Sequence, residues 1–108
     1  MTDKTGCIVI FVTVETRQEA ERISNHLLTR KKVACVNMIN GVNSNFWWKG
    51  KVDSANETLL IIKTLESVLD EVIKLIREIH SYEVPEIIAM PIVGGNDAYF
   101  EWIKNEVK

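Results

Sequence analysis

At 108 residues, with 46% hydrophobic and 26% charged side chains, the chain has the make-up of one folded domain spanning 1–108 and not of a disordered segment. A formal net charge of -2 leaves no basic footprint for nucleic acid or an anionic membrane surface. No stretch reaches the ~20 apolar residues needed to span a bilayer, and Met1-Thr2-Asp3-Lys4 with the apolar run after it lacks a signal-peptide cleavage pattern, so a cytoplasmic protein is expected.

In chain order, Cys7 to Val14 is an unbroken apolar, β-branched run and reads as a buried strand. Thr16 with Glu19 three residues on is a capping-box pattern, and Ala20, Ile23, Leu27 and Leu28 then recur at helical spacing. The basic run Arg30-Lys31-Lys32 falls at the end of this helix, where cations complement the negative end of its dipole. A second strand starts at Val33 and is carried past Gly41 to Phe46-Trp47-Trp48. Lys49-Gly50-Lys51 supplies a glycine turn, and the third strand is strongest at Thr58–Ile62.

Ser67, followed by Asp70, is expected to cap a second helix whose apolar face is Val68, Leu69, Val72, Ile73, Ile76 and Ile79. Pro85 and its predecessor stop that helix near His80-Ser81. Ile87 to Val93 is a fourth strand, with Pro91 marking an edge or bulge. After Gly94-Gly95-Asn96-Asp97 a short last helix carries Tyr99, Trp102, Ile103 and Val107. The β-α-β-β-α-β order predicts an α+β, ferredoxin-like sandwich with both long helices on one face, a long hairpin between the second and third strands and a short C-terminal helix. Cys7 and Cys35 each sit within an apolar run. Two isolated cysteines form no disulfide framework and are expected as buried thiols in a reducing compartment.

Two features predict assembly. The first strand is apolar on both faces, with Ile8, Ile10, Val12 and Val14 against Cys7, Val9 and Phe11, and the third strand repeats this around Leu59–Ile62. Two helices cover one face only, and several Val, Ile or Leu side chains left wet forfeit roughly 1.5 to 3 kcal/mol each. The hairpin also exceeds the usual strand length of ~5 to 6 residues, so it either bends, with Gly41 as the candidate site, or projects with open edges.

The chain resembles the CutA family. The markers are Ala34-Cys35-Val36-Asn37, Ser44-Asn45-Phe46-Trp47-Trp48-Lys49-Gly50, Glu57, Lys63-Thr64, His80-Ser81-Tyr82-Glu83-Val84-Pro85-Glu86, Pro91-Ile92, Tyr99 and Trp102-Ile103, spread over nearly the whole length. The resemblance implies a homotrimer packed around a threefold axis, a link to divalent-metal tolerance with copper binding, and a likeness to PII signalling trimers. Ser81 stands where the family often has Pro. Val12 and Ile79 stand where some bacterial members carry a cysteine and a histidine linked to copper, so His80 is the retained member.

His80, Glu83, Glu86 and Cys35 are therefore the candidate ligands for copper or another divalent cation, none of it required for folding. The spacing His-x-x-Glu-x-x-Glu places all three on one helical face, but Pro85 opposes a helix there, and in an extended segment positions 83 and 86 point apart. Against each ligand role stands a plainer one: a helix-terminal histidine, surface carboxylates, and an inert buried thiol between Ala34 and Val36. Trp48, Glu57, Lys63 and Tyr82, with Glu83, are expected at a subunit-boundary pocket. The expected function is a trimeric, non-enzymatic divalent-cation-binding protein in the response to metal ions. The alternative is a PII-like trimer that senses a small molecule or protein partner. No Gly-rich phosphate loop, nucleophile elbow or His-Glu-x-x-His pattern points to an enzyme, and Glu15 occupies the turn where a ferredoxin-like acylphosphatase needs an anion cradle.

Overall fold

The apolar run from Cys7 to Val14 forms β1, a central strand in the computed structural model, which describes residues 5–108; the reading of Met1–Lys4 falls outside those residues. The other elements follow as α1 (Arg17–Thr29), β2 (Cys35–Trp48), β3 (Lys51–Leu65), α2 (Leu69–Ile79), β4 (Ile87–Pro91) and α3 (Asp97–Glu106). The sheet order is β2-β3-β1-β4 with every neighbour antiparallel, the ferredoxin-like arrangement. β1 is held on one side by β3, from Cys7↔Leu65 to Val14↔Thr58, and on the other by β4, from Ile8↔Pro91 to Val12↔Ile87. Pro91 sits on an edge strand, where its missing N–H costs no ladder bond.

Period-two alternation sorts the side chains. Ile8, Ile10, Val12 and Val14 of β1 and Leu60 and Ile62 of β3 are buried against Ala20, Ile23 and Leu27 of α1 and Val72 and Ile76 of α2. Cys7 is buried on the opposite face, where α3 lies against β1 and β3 and buries Phe100, Ile103 and Val107. Phe11, Leu59 and Ile61 of that face are only half-buried, and Ile39, Ile88 and Met90 are exposed at 48%, 49% and 39%.

The hairpin both bends and projects. β3 pairs with β1 only over Thr58–Leu65, so Val42–Glu57 forms a two-stranded arm beyond the body. The register slips between Ile39 and Val42, at a bulge where Gly41 takes φ +74°. At the tip, Lys49 and Gly50 both have positive φ, which makes the two-residue turn that matches strand twist. Phe46, Trp47, Trp48 and Val52 are exposed along the arm, Trp47 at 74%. The longest dimension of the molecule is 44 Å.

Two local expectations are corrected. The Ser67 capping box does not form: β3 runs on to Leu65, Glu66 N–H bonds Gly6 C=O at 3.0 Å, and a 3-10 turn at Glu66–Val68 leads into α2 with Val68 as N-cap and no side-chain cap bond. Ser67 thus lies inside a tight turn instead of ahead of a helix. At the end of α1 the basic run does more than face the dipole. Lys31 takes φ +60°, Lys31 N–H bonds Leu28 C=O, and Lys32 N–H bonds Leu27 C=O, which is a Schellman closure with a lysine in the left-handed position. Arg30 also reaches back to the His26 carbonyl at 3.0 Å, and Lys32 pairs with Glu71 at 3.1 Å.

The two caps differ in a measurable way. Thr16 Oγ1 accepts from Glu19 N–H at 3.1 Å, so Thr16→Ala is expected to cost about 1 kcal/mol in urea denaturation. Ser67→Ala is expected to stay within about 0.5 kcal/mol of wild type.

Candidate functional site

The N-terminal turn of α1 positions the first member. Glu19 lies on the apolar stripe, four residues before Ile23, and is 4% exposed. Its carboxylate does not complete the capping box. It turns to the loop after α2, where Oε2 accepts the Ser81 backbone N–H at 2.8 Å and Oε1 accepts the Ser81 hydroxyl at 2.9 Å. Two donors on a buried carboxylate satisfy it better than one amide at the helix end.

His80 is the residue that ends α2, in an extended conformation with its N–H on Ile76 C=O. Its side chain is completely buried. Nε2 donates to Thr13 C=O at 2.9 Å and Nδ1 accepts the Tyr82 N–H at 3.0 Å, a pattern that only the neutral ring with its proton on Nε2 can make. Glu19 Oε2 is 3.5 Å from Nδ1 but faces an acceptor, so the two do not form an ion pair. Both ring nitrogens are therefore committed to the backbone, and the imidazole ties the loop after α2 to the end of β1.

Tyr82 extends the chain of contacts. Its ring lies 5.0 Å from that of His80, and its hydroxyl donates to Glu57 Oε2 at 2.7 Å. Glu57 is 7% exposed, at the root of the arm opposite Val42. Burial, then the hydrogen bond and charge of Glu57, then the charges of Glu15 and Glu19, raise the Tyr82 pKa well above its ordinary value. Among the described residues no Lys or Arg is in ion-pair contact with Glu57 or Glu19; Arg17, the nearest cation along α1, is held by Glu21 and Asn40.

The remaining predicted residues go elsewhere. Lys63, expected with Glu57 and Tyr82 at a subunit-boundary pocket, does not meet them within one chain: its Nζ donates to Asn37 Oδ1 and lies 3.9 Å from Cys35 Sγ. Six residues of strand separate it from Glu57, about 20 Å at strand rise. Cys35 is half-exposed instead of buried, at the far end of β3 from His80. Glu83 and Glu86 are exposed. Trp48 is at the arm tip with Lys49 Nζ 5.9 Å from its ring centroid. So one chain unites Tyr82 with Glu57 and His80, and leaves Cys35, Lys63, Trp48 and the two outer glutamates apart. Among the described residues no group of three or more His, Cys, Asp or Glu is set to hold a metal ion. Two shallow grooves lie on the outer side of the helix layer, between residues such as Arg30, Glu71, Lys74 and Glu78, away from this cluster. Glu19, Ser81 and the Thr13 carbonyl were not anticipated; the available signal was an acidic residue on the apolar stripe of α1.

Because the folded state keeps a proton on Tyr82 that the unfolded chain loses near pH 10.0, stability is expected to fall as pH rises above that value. In a Tyr99→Phe background, phenolate absorbance should report Tyr82 ionising late. Glu57→Gln should bring it part of the way back, since burial remains.

Residues 8–106 match the family model described as CutA1 divalent ion tolerance protein. The chain is 46% identical over 101 residues to Protein CutA 1, chloroplastic, of Oryza sativa subsp. japonica, covering 94% of this chain and 57% of that one. It is 39% identical over 99 residues to the divalent-cation tolerance protein CutA of Archaeoglobus fulgidus, covering 92% and 96%. The crystal structure of CutA1 from Oryza sativa superimposes with a TM-score of 0.92 at 45% identity, over 94% of each chain. The chain spans little more than half the length of the rice relative and of the chloroplastic CutA of Arabidopsis thaliana. No helix among the described residues is long and apolar enough to cross a membrane. With almost its full length matched by the family model and by relatives at this identity, the chain belongs to the CutA family of divalent ion tolerance proteins.

Proposed function

We propose that this protein acts as a homotrimer that binds divalent cations, copper(II) among them, in the response to metal ions, and that it does so without catalysing a reaction. The observation that carries the reading is Glu57: a buried carboxylate without a Lys or Arg in ion-pair contact among the described residues, at the margin of an apolar sheet face that one chain leaves uncovered. A buried negative charge of this kind is stabilised by a cation brought to it. Phe11, Ile39, Leu59, Ile61, Ile88 and Met90 make the uncovered face. Each such side chain is worth roughly 1.5 to 3 kcal/mol when fully buried.

The edges favour a ring. The free edges of the sheet belong to β2 and β4, and pairing β2 of one copy with β4 of the next would be a head-to-tail contact, the kind that forms a ring where its rotation closes. The arm supports the same reading, because a two-stranded hairpin is marginal in water without something to pack on. Three copies is the number that the family resemblance implies. Since no three ligands converge among the described residues of one chain, the coordination shell draws on more than one copy, with Glu57, Glu83 and Glu86 as the carboxylates on offer. His80 holds Tyr82 in place for Glu57 and is not itself a ligand. The two thiols suit a reducing cytoplasm.

Light scattering is expected to give three times the 12.3 kDa chain mass, and Phe11→Asp with Ile61→Asp is expected to break the assembly. Calorimetry with copper(II) on the assembled protein is expected to show binding that Glu57→Gln weakens. A monomer at micromolar concentration overturns the trimer. A silent titration of the wild type overturns the metal reading in favour of small-molecule sensing at the subunit boundary.

A further inference from the structure

Cys35 and Lys63 stand directly opposite each other on β2 and β3. Side chains so placed start about 5 Å apart at their β-carbons, and here Lys63 Nζ reaches to 3.9 Å from Cys35 Sγ. Asn37, two residues along the same face of β2, holds both groups: its Oδ1 accepts from Lys63 Nζ and lies 3.9 Å from Cys35 Sγ. The amine is thus fixed beside the sulfur. Both residues are half-buried, so a small oxidant in solvent reaches them. Solvent-reached cysteines beside a lysine are the ones that oxidise first. Tyr99 of α3 borders the thiol; burial and then the neighbouring Cys35 and Cys7 push its phenol up. The second thiol, Cys7, is on β1, with β3 between. Two strand spacings amount to about 10 Å, beyond the ~7 Å Cα separation that a disulfide spans. An oxidised sulfur at Cys35 therefore meets an amine before it meets a thiol.

We propose that Cys35 and Lys63 are a redox-responsive pair, in which hydrogen peroxide converts their contact into a reversible covalent S–N link between β2 and β3. In the first step the Cys35 sulfur attacks one peroxide oxygen and the O–O bond breaks. Sulfur gains a hydroxyl as sulfenic acid, and the other oxygen leaves as water with the thiol proton. Sulfur is oxidised by two electrons and peroxide is reduced by two. In the second step the unprotonated Lys63 amine attacks the sulfur. An S–N bond forms, the S–O bond breaks, and the hydroxyl leaves as water with a proton from nitrogen. A thiol reductant reverses the link: its sulfur attacks Cys35, the amine leaves with a proton, and a second thiol frees Cys35 from the mixed disulfide. The link fastens the two strands from which the arm projects; Cys35 and Lys63 share the sheet face of Leu59 and Ile61, the one the proposed trimer uses, so the pair is tested in the assembled protein.

The test is peroxide treatment of the full-length protein in its native assembly, read by intact mass and by tandem mass spectrometry of its peptides. The wild type is expected to lose two hydrogens, to yield a peptide pair joined through Cys35 and Lys63, and to return to its starting mass with reductant. Cys7→Ser should keep the link. Lys63→Arg, which retains the charge but not the amine, should instead accumulate sulfinic acid at Cys35. Three results overturn the proposal: wild type passing straight to sulfinic acid, the same mass loss traced to a Cys7–Cys35 disulfide, or a joined peptide that retains an oxygen. The wild-type peptide map decides the matter even if a variant fails to fold.

Discussion

A central strand with apolar side chains on both faces sets the terms for everything else in this protein. Ile8, Ile10, Val12 and Val14 commit one face of β1 to the helices, and that commitment fixes the register of β3 and β4 on either side, since a slip of one residue turns every core side chain outward. The same alternation leaves Phe11 on a face that α3 reaches only at its Cys7 end. Local propensity could form these strands in several registers. The two-sided apolar pattern selects one, and with it the position of each polar group at the sheet's ends.

Those polar groups form a single path across elements far apart in sequence. Glu19 of α1 holds Ser81, His80 joins Thr13 of β1 to the Tyr82 amide, and the Tyr82 hydroxyl caps Glu57 of β3. Each bond is ordinary. Together they place two buried carboxylates around a neutral imidazole and a protonated phenol, and among the described residues the carboxylates' hydrogen-bond donors, the Ser81 amide and hydroxyl and the Tyr82 hydroxyl, are neutral. Neutral donors satisfy hydrogen-bonding capacity without cancelling charge, so this end of the sheet keeps a negative field while remaining well packed.

Much of this was legible from residue pattern. The limits of β1, the Lys49-Gly50 turn, the edge position of Pro91 and the end of α2 before His80 all follow from rules that act within a few residues. What was not legible depends on register and on partners distant in sequence. Thr16 and Glu19 look like a reciprocal cap until Ser81, 62 positions away, offers the carboxylate two donors. Lys63 and Glu57 share a strand face, but only the pairing of Cys35 with Lys63 shows which neighbour the amine meets. Ser67 has the right spacing to Asp70, yet the continuation of β3 to Leu65 forces a tight turn there. His80 was rightly singled out as special; its role followed only once both nitrogens had visible partners.

The slip beside Gly41 has an effect on parity. β2 advances three residues from Ile39 to Val42 while β3 retreats two from Leu59 to Glu57, so odd positions of β2 share the uncovered face before the slip and even positions share it afterwards. The slip thereby hands Phe46 and Trp48 to the same side as Leu59 and Ile61, and turns Trp47 the other way. Were the strands to run on without the slip, position 41 would meet Glu57 and the aromatic frame of the arm would invert: Asn43, Asn45 and Trp47 would take the side that Val42, Phe46 and Trp48 now hold, without a single side chain having been altered.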